Sequence, residues 1–187
     1  LRVADDARPL EMGPSQLEAD AIFEREWDNI RSAVAWAGGT GRIDFAEQLI
    51  WAAFPFAVLR MRYELEEWAV RLIEQESLDR PVPGRIVVTA AGFAMFAAEW
   101  QRSLPLCQQT VARASDPESR ALAWHSATIS SMMLGRIADA KEARDRAQAE
   151  LAETDDPFVR YWVLYSGMTV AVSTERTSVP MWVDRLR

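Results

Sequence analysis

Apolar residues recur along this chain at the spacing of helices rather than strands. Phe23, Trp27, Ile30, Val34 and Ala37 follow one another at steps of 4, 3, 4 and 3, which places them on one stripe of a helix. Ser15 and Glu18 ahead of that stripe have the S-x-x-E form of a capping box, and Gly38-Gly39-Thr40-Gly41 ends it. A second helix is predicted from about Ile43 to Leu59, kinked at Pro55. A third starts near Tyr63, with Leu65, Trp68, Ala69, Leu72 and Ile73 facing inward, and ends before Pro81-Val82-Pro83-Gly84. Further helices are predicted at 84–98, 101–114, 117–134, 136–152 and 157–172, two of them opened by Asp116-Pro117 and Asp156-Pro157. Asp accepts from free N–H groups at a helix start, and Pro at the first helical position has no N–H to leave unsatisfied. Ile86-Val87-Val88-Thr89 has strand propensity, but the run into Ala90–Ala98 favours a buried helix. The pattern predicts an all-α chain of about eight helices.

Connections this short join neighbouring helices as antiparallel hairpins. Tight turns at Arg60-Met61-Arg62, Glu99-Trp100-Gln101 and Gly135-Arg136-Ile137 fall at nearly regular intervals. Trp51 precedes Arg62 of the first turn, and Trp124 precedes Gly135 of the third, by eleven residues, and Val88 holds the register between them. Gly41-Arg42-Ile43-Asp44-Phe45-Ala46 is echoed by Gly135-Arg136-Ile137-Ala138-Asp139-Ala140. These echoes predict two-helix repeats of about 34–40 residues stacked into a solenoid. The expected organisation is a flexible segment over 1–14, the helical repeats over 15–173, and a truncated repeat over 174–187.

With 187 residues and a net charge of -7, the chain has the ordinary apolar and charged content of a folded protein. The acidic balance argues against nucleic-acid binding by this segment, since phosphate contacts need a basic face. A single cysteine, Cys107, cannot make an internal disulfide, which fits a reducing, cytoplasmic setting. The low-charge runs Leu49–Leu59 and Ile86–Ala98 are too short to cross a bilayer, and no signal peptide precedes them. A start at Leu1 and not at Met leads to the expectation of a piece excised from a longer chain.

Chemistry is sparse. His125 is the one histidine, and no second ligand stands at metal-binding spacing, so neither a metal nor a cofactor is expected. Cys107 lies in the apolar stretch Leu104-Pro105-Leu106, which raises a thiol pKa instead of activating it. No third group orients a Cys107–His125 pair for nucleophilic catalysis. The carboxylates alternate with arginine, as in Glu67/Arg71 and Glu142/Arg146, the spacing of solvated ion pairs. Gly38-Gly39-Thr40-Gly41-Arg42 lacks the phosphate-loop form and follows a helix, so it reads as a helix-ending turn. Of eight tryptophans, Trp27, Trp36, Trp51, Trp68, Trp124 and Trp162 fall on apolar stripes. Phe93, Met95, Phe96, Met132 and Met133 read as core.

Residues 26–68 carry a longer line: Glu26-Trp27-Asp28-Asn29-Ile30-Arg31-Ser32-Ala33-Val34-Ala35-Trp36-Ala37, then Arg42-Ile43-Asp44-Phe45-Ala46-Glu47-Gln48-Leu49, then Trp51 through Pro55-Phe56, and Arg60-Met61-Arg62-Tyr63-Glu64-Leu65-Glu66-Glu67-Trp68. This resembles the tetratricopeptide-like helical domain of bacterial, chiefly actinobacterial, signal-transducing ATPase regulators, among them LuxR-type transcriptional regulators and adenylate cyclase-like proteins. Asn29, Arg31, Trp36, Arg62, Glu66 or Glu67, and Trp68 match the family pattern. Met61 departs from it, standing where the family usually has Gly before Arg62, and Pro55-Phe56 replaces part of an aromatic pair. The resemblance implies a right-handed solenoid and a non-catalytic domain that senses an effector or binds a protein or peptide, including the ATPase module of its own parent chain. Repeat register makes Arg31, Trp51, Phe93, Trp124, His125 and Trp162 the expected lining of a concave groove. The alternative expectation is self-association through an apolar face left uncapped at Val170 and Val172, giving a homodimer with no external ligand.

Overall fold

The computed structural model describes residues 1–77 and 81–186; Arg187, at the end of the expected truncated repeat, lies outside them. Among the described residues the chain is helical throughout, with ten α-helices and two short 3-10 turns. The helices are α1 (Arg2–Ala7), α2 (Gln16–Gly39), α3 (Ile43–Leu59), α4 (Glu64–Glu74), α5 (Gly84–Phe96), α6 (Trp100–Arg113), α7 (Pro117–Met133), α8 (Ile137–Leu151), α9 (Pro157–Thr174) and α10 (Val179–Leu186). Eight of them, α2 to α9, are those the periodicity predicts.

The other two correct the reading of the chain ends. Residues 1–14, expected to be flexible, hold α1 and a 3-10 turn over Arg8–Leu10, with Ala4 and Ala7 buried. Residues 174–187 contain α10, whose Trp182 is 3% exposed against α9. Val170 is fully buried, so only Val172 of the expected uncapped pair remains on the surface.

Capping follows the residues in two cases and not in a third. The Asp116 carboxylate accepts from the Ser119 N–H at 2.9 Å, and Asp156 accepts from Phe158 and Val159 at 2.9 and 3.2 Å. Ser15 stands at the start of α2 but its side chain caps nothing. Helix α3 continues through Pro55, whose ring is buried.

The chain divides into two compact units, Leu1–Phe93 and Ala94–Arg187. In the first, α2 packs on α3 and α4, and α1 lies on α2 and α3. Its core is aromatic: Phe23 stacks on Phe56 at 5.1 Å, Trp27 on Trp68 at 5.1 Å, and Phe54 meets Phe93 edge-on at 6.1 Å. In the second, α7 packs against α6, α8 and α9, and α10 lies on α9. Small residues line the buried face of α8, where Ala140, Ala143 and Ala147 lie.

The tight turns share one geometry, although the second lies at 97–99 and not over Glu99-Trp100-Gln101, whose last two residues already open α6. Met61, Ala98 and Gly135 each adopt a left-handed φ, of 53°, 62° and 73°, and stand 37 residues apart. The N–H of the following residue returns to the carbonyl five positions back at 2.8 Å in all three: Arg62 to Ala57, Glu99 to Ala94, Arg136 to Ser131. This is the Schellman ending of a helix, in which a left-handed residue lets the chain bond back onto orphan carbonyls. Gly41, at φ 73°, ends α2 in the same way, with Arg42 bonded to Ala37 at 2.8 Å.

That geometry corrects the tryptophan register. Counted from the left-handed residues, the position ten earlier is Trp51, Val88 and His125, and Trp162 follows at the same 37-residue step. Trp124, paired with Trp51 from sequence, is one place off. Trp51, Val88 and His125 are buried at 8%, 0% and 3% exposure, whereas Trp124 is half-buried on another side of α7. Trp36 and Met133, read as core, are exposed, since Trp36 caps the edge of Phe45 and Arg42 lies over its outer face.

Candidate binding cleft between α6 and α8

The six residues expected to line a groove separate into different environments. Arg31 is exposed on α2, where its guanidinium binds Asp28 at 2.6 Å and grips Glu64 of α4. Glu64 also accepts from the Trp27 indole N–H at 2.7 Å, and hydrogen bonding from Arg31, then Trp27, holds its carboxyl below the usual carboxylate range. Arg31 therefore clamps α2 to α4. Trp51 and Phe93 are core residues of the first unit and are closed off from an open surface. Trp51 is covered by Arg8 and Arg85, whose guanidinium carbons lie 4.7 and 5.0 Å from its ring.

In the second unit, His125 and Trp162 meet at 5.5 Å between ring centroids. Phe96, Phe158, Tyr161 and Tyr165 surround the Trp162 indole. Neither His125 nitrogen nor the Trp162 Nε1 has a hydrogen bond of normal geometry, and the Trp162 backbone opposes the effect of burial on the imidazole only in part. Burial pushes the His125 pKa down to about 4, so its ring is neutral at pH 7. His125 is a packed aromatic residue here, not a groove contact.

Of the six, Trp124 opens into a larger cleft and Arg31 borders a smaller one. Trp124 forms the floor, with Ala127 and Ser131 of α7, of a space of about 640 Å³. Helix α6 supplies one wall through Gln101, Leu104, Pro105 and Gln108, and α8 the other through Asp139, Glu142, Ala143 and Arg146, with Arg136 at its mouth. The Arg146 guanidinium lies 4.9 Å from the Trp124 ring and binds Glu142 at 2.7 Å, which fixes the indole against the α8 side. Arg136 and Asp139 form no ion pair among the described residues, and both are exposed. Pro105 has no N–H to return to the Gln101 carbonyl one turn back, so the α6 wall carries a backbone acceptor free of its helical partner. The cleft can thus offer an aromatic surface, amide donors and acceptors, and, beside the Glu142–Arg146 pair, one further charge of each sign.

The one thiol on the cleft wall is not activated. Cys107 is on that wall but 2% exposed, and burial raises its thiol to about 12 against a weak 3.7 Å contact with Ser103. A thiol held this far up stays protonated and unreactive. No hydrogen bond joins Cys107 to His125. Among the described residues no group of three or more His, Cys, Asp or Glu could hold a metal ion. No described helix is long and apolar enough to cross a membrane.

A smaller crevice of about 400 Å³ lies in the first unit between α2 and α4, where Val34, Trp68 and Leu72 meet Arg31, Arg71 and Gln75. Of the cleft residues in the second unit, only Trp124 is suggested by sequence. Gln101 and Gln108 come from α6, Asp139 and Arg146 from α8 and Arg136 from the turn before it, and the one sequence signal near them is the proline inside α6. Comparison with protein-family models, with curated proteins and with solved structures returns no match to this chain.

Proposed function

We propose that this chain is a non-catalytic recognition module that binds an extended peptide segment in the cleft between α6 and α8. The observation carrying this reading is the Trp124 floor flanked by unpaired Arg136 and Asp139 and by the glutamines of α6. Its volume of about 640 Å³ falls within the ~300–1,000 Å³ typical of ligand pockets. An aromatic anchor with polar groups around it is the usual composition of an energetic centre in protein recognition. The turns at 37-residue intervals support a repeat of two-helix hairpins stacked as a right-handed solenoid. Together with the resemblance of residues 26–68, they support a tetratricopeptide-like sensor domain of a cytoplasmic bacterial signalling or transcriptional regulator, acting on an adjoining ATPase module. In that setting peptide binding would bias the ATPase between two states through its differing affinity for each.

The test is panning a display library of short peptides against the protein and measuring the recovered peptides by calorimetry on wild type, Trp124→Ala and Gln108→Ala. Peptides of this cleft lose at least tenfold in affinity on Trp124→Ala. Peptides that bind the variant as well as wild type place recognition elsewhere and overturn the reading.

A second reading is self-association. It is favoured by the exposed side chains of Tyr161, Tyr165 and Val172 on α9 and Met181 on α10, the two tyrosine rings stacking at 6.3 Å. Sedimentation over a hundredfold concentration range separates the two, since a monomer throughout removes the dimer.

A further inference from the structure

The most unusual side chain in the first unit is Glu11. It is 1% exposed, at the end of the 3-10 turn that follows α1, and neither carboxylate oxygen has a hydrogen-bond partner. Asp20 of α2 lies beside it, 5% exposed; its Oδ2 accepts from Arg60, at the end of α3, while its Oδ1 has no partner. The charged groups that face Glu11 are Asp20 from α2, Arg60 from the end of α3 and Arg8 from its own segment, and Glu24 of α2 acts on Arg60. Arg8 is directed elsewhere, donating to the Trp51 carbonyl and lying over the Trp51 ring. Arg60 is committed to Asp20. Glu11 is therefore a buried acid next to a second acid, with both nearby guanidinium groups bonded to other acceptors.

An ionised carboxylate without donors in such a place is expensive, and a neutral carboxyl is much less so. The segment carrying it is held by small apolar side chains and by Arg8, which reaches Trp51. Residues 1–12 contribute Ala4 and Ala7 to the core, and between α1 and the helices beneath runs a crevice of about 210 Å³ reaching Phe23, Ile30 and Leu49. Gly13-Pro14 then joins the segment to α2, so it can leave the surface without unwinding that helix.

We propose that residues 1–12 are a proton-gated strap: they lie on α2 and α3 while Glu11 is protonated, and ionisation of Glu11 loosens them to expose the Phe23–Leu49 surface. The sign follows from the shift. Burial, then Asp20, raises the Glu11 carboxyl from 4.5 to about 7 when the strap is down. Attachment is tightest below pH 4.5, weakens as pH rises from 4.5 to 7, and is constant above that. The docking equilibrium falls on the order of a hundredfold across this range, and by roughly tenfold between pH 6 and 7.5.

Amide exchange read by mass spectrometry on the full chain tests this. Helix α1 has six residues and cannot persist detached, so its amides report undocking. After correction for the intrinsic pH dependence of exchange, protection of the Ala4, Asp5 and Glu11 amides falls as pH rises from 5 to 7.5, while that of α7 amides does not follow the same course. Glu11→Gln, neutral at every pH, keeps strap protection high and flat. A wild-type strap whose protection is independent of pH overturns the proposal, as does a Glu11→Gln protein that tracks wild type. Should Glu11→Gln lose its helical circular dichroism at pH 5, the neutral side chain does not support docking, and the proposal is equally overturned.

Discussion

The indole of Trp182 rests directly on the backbone of Gly167, so that a β-carbon at position 167 would meet its ring atoms at 2.2 to 2.7 Å. This contact sets how closely α10 approaches α9. Gly167→Ala forces the ring away and is expected to cost about 1–3 kcal/mol despite the better helix propensity of alanine. Urea unfolding measures it. Because the loss comes from one contact, Gly167→Ala adds little once Trp182 is already alanine, and full additivity in that double variant would show that the contact is not its source.

Met61 and Ala98 hold left-handed backbone angles that cost an L-residue about 1–2 kcal/mol, where Gly135 does so freely. Ala98→Gly and Met61→Gly are each expected to raise stability by about 0.5–1 kcal/mol, and Gly135→Ala to lower it by about 1 kcal/mol. The check is the urea midpoint at an unchanged m-value. A destabilised Ala98→Gly would mean that the methyl group contributes more in contacts than the backbone gains.

His125 makes the protein acid-sensitive. Its pKa falls from 6.5 to about 4 on burial, so the unfolded chain takes up a proton before the folded one does. Its contribution is complete above pH 6.5 and is lost as pH falls toward 4, by about 3 kcal/mol. His125→Leu is expected to flatten that part of the stability profile. Glu11 acts in the opposite sense over much of the same range, so the two contributions partly cancel in wild type and emerge only as differences between each variant and the parent.

Cys107 is expected to resist a thiol reagent in the native protein at pH 8 and to react at once in denaturant, because its thiol is buried and raised to about 12. Labelling of the native protein at the rate of a free thiol would place Cys107 in an open part of the cleft wall and reopen a chemical role for it.

The helices α2 to α9 are legible in the sequence because their ends are marked by local chemistry, the Asp-Pro pairs and the glycine turns. Helices α1 and α10 are not. Six and eight residues are too few for periodicity, and both are helical because Ala4, Ala7 and Trp182 find partners in distant parts of the chain. Ser15 shows the converse, a sound local signal that the folded backbone leaves unused. Spacing located the recurring turns to within a residue or two but paired Trp51 with Trp124 and not with His125, and one position on a helix is a rotation of about 100°, enough to exchange core for cleft. That is why Trp124 and His125, adjacent in sequence, differ so sharply in surroundings. The walls of the cleft escape sequence reasoning because α6 and α8 are brought together only by packing on α7.

The three left-handed turns carry an implication for how such a chain changes length. A cut after Met61 rejoined at Glu99 meets the same backbone angles and the same returning hydrogen bond that it left, and so does a cut after Ala98 rejoined at Arg136. At the joint itself, loss of those thirty-seven residues therefore calls for no new backbone geometry.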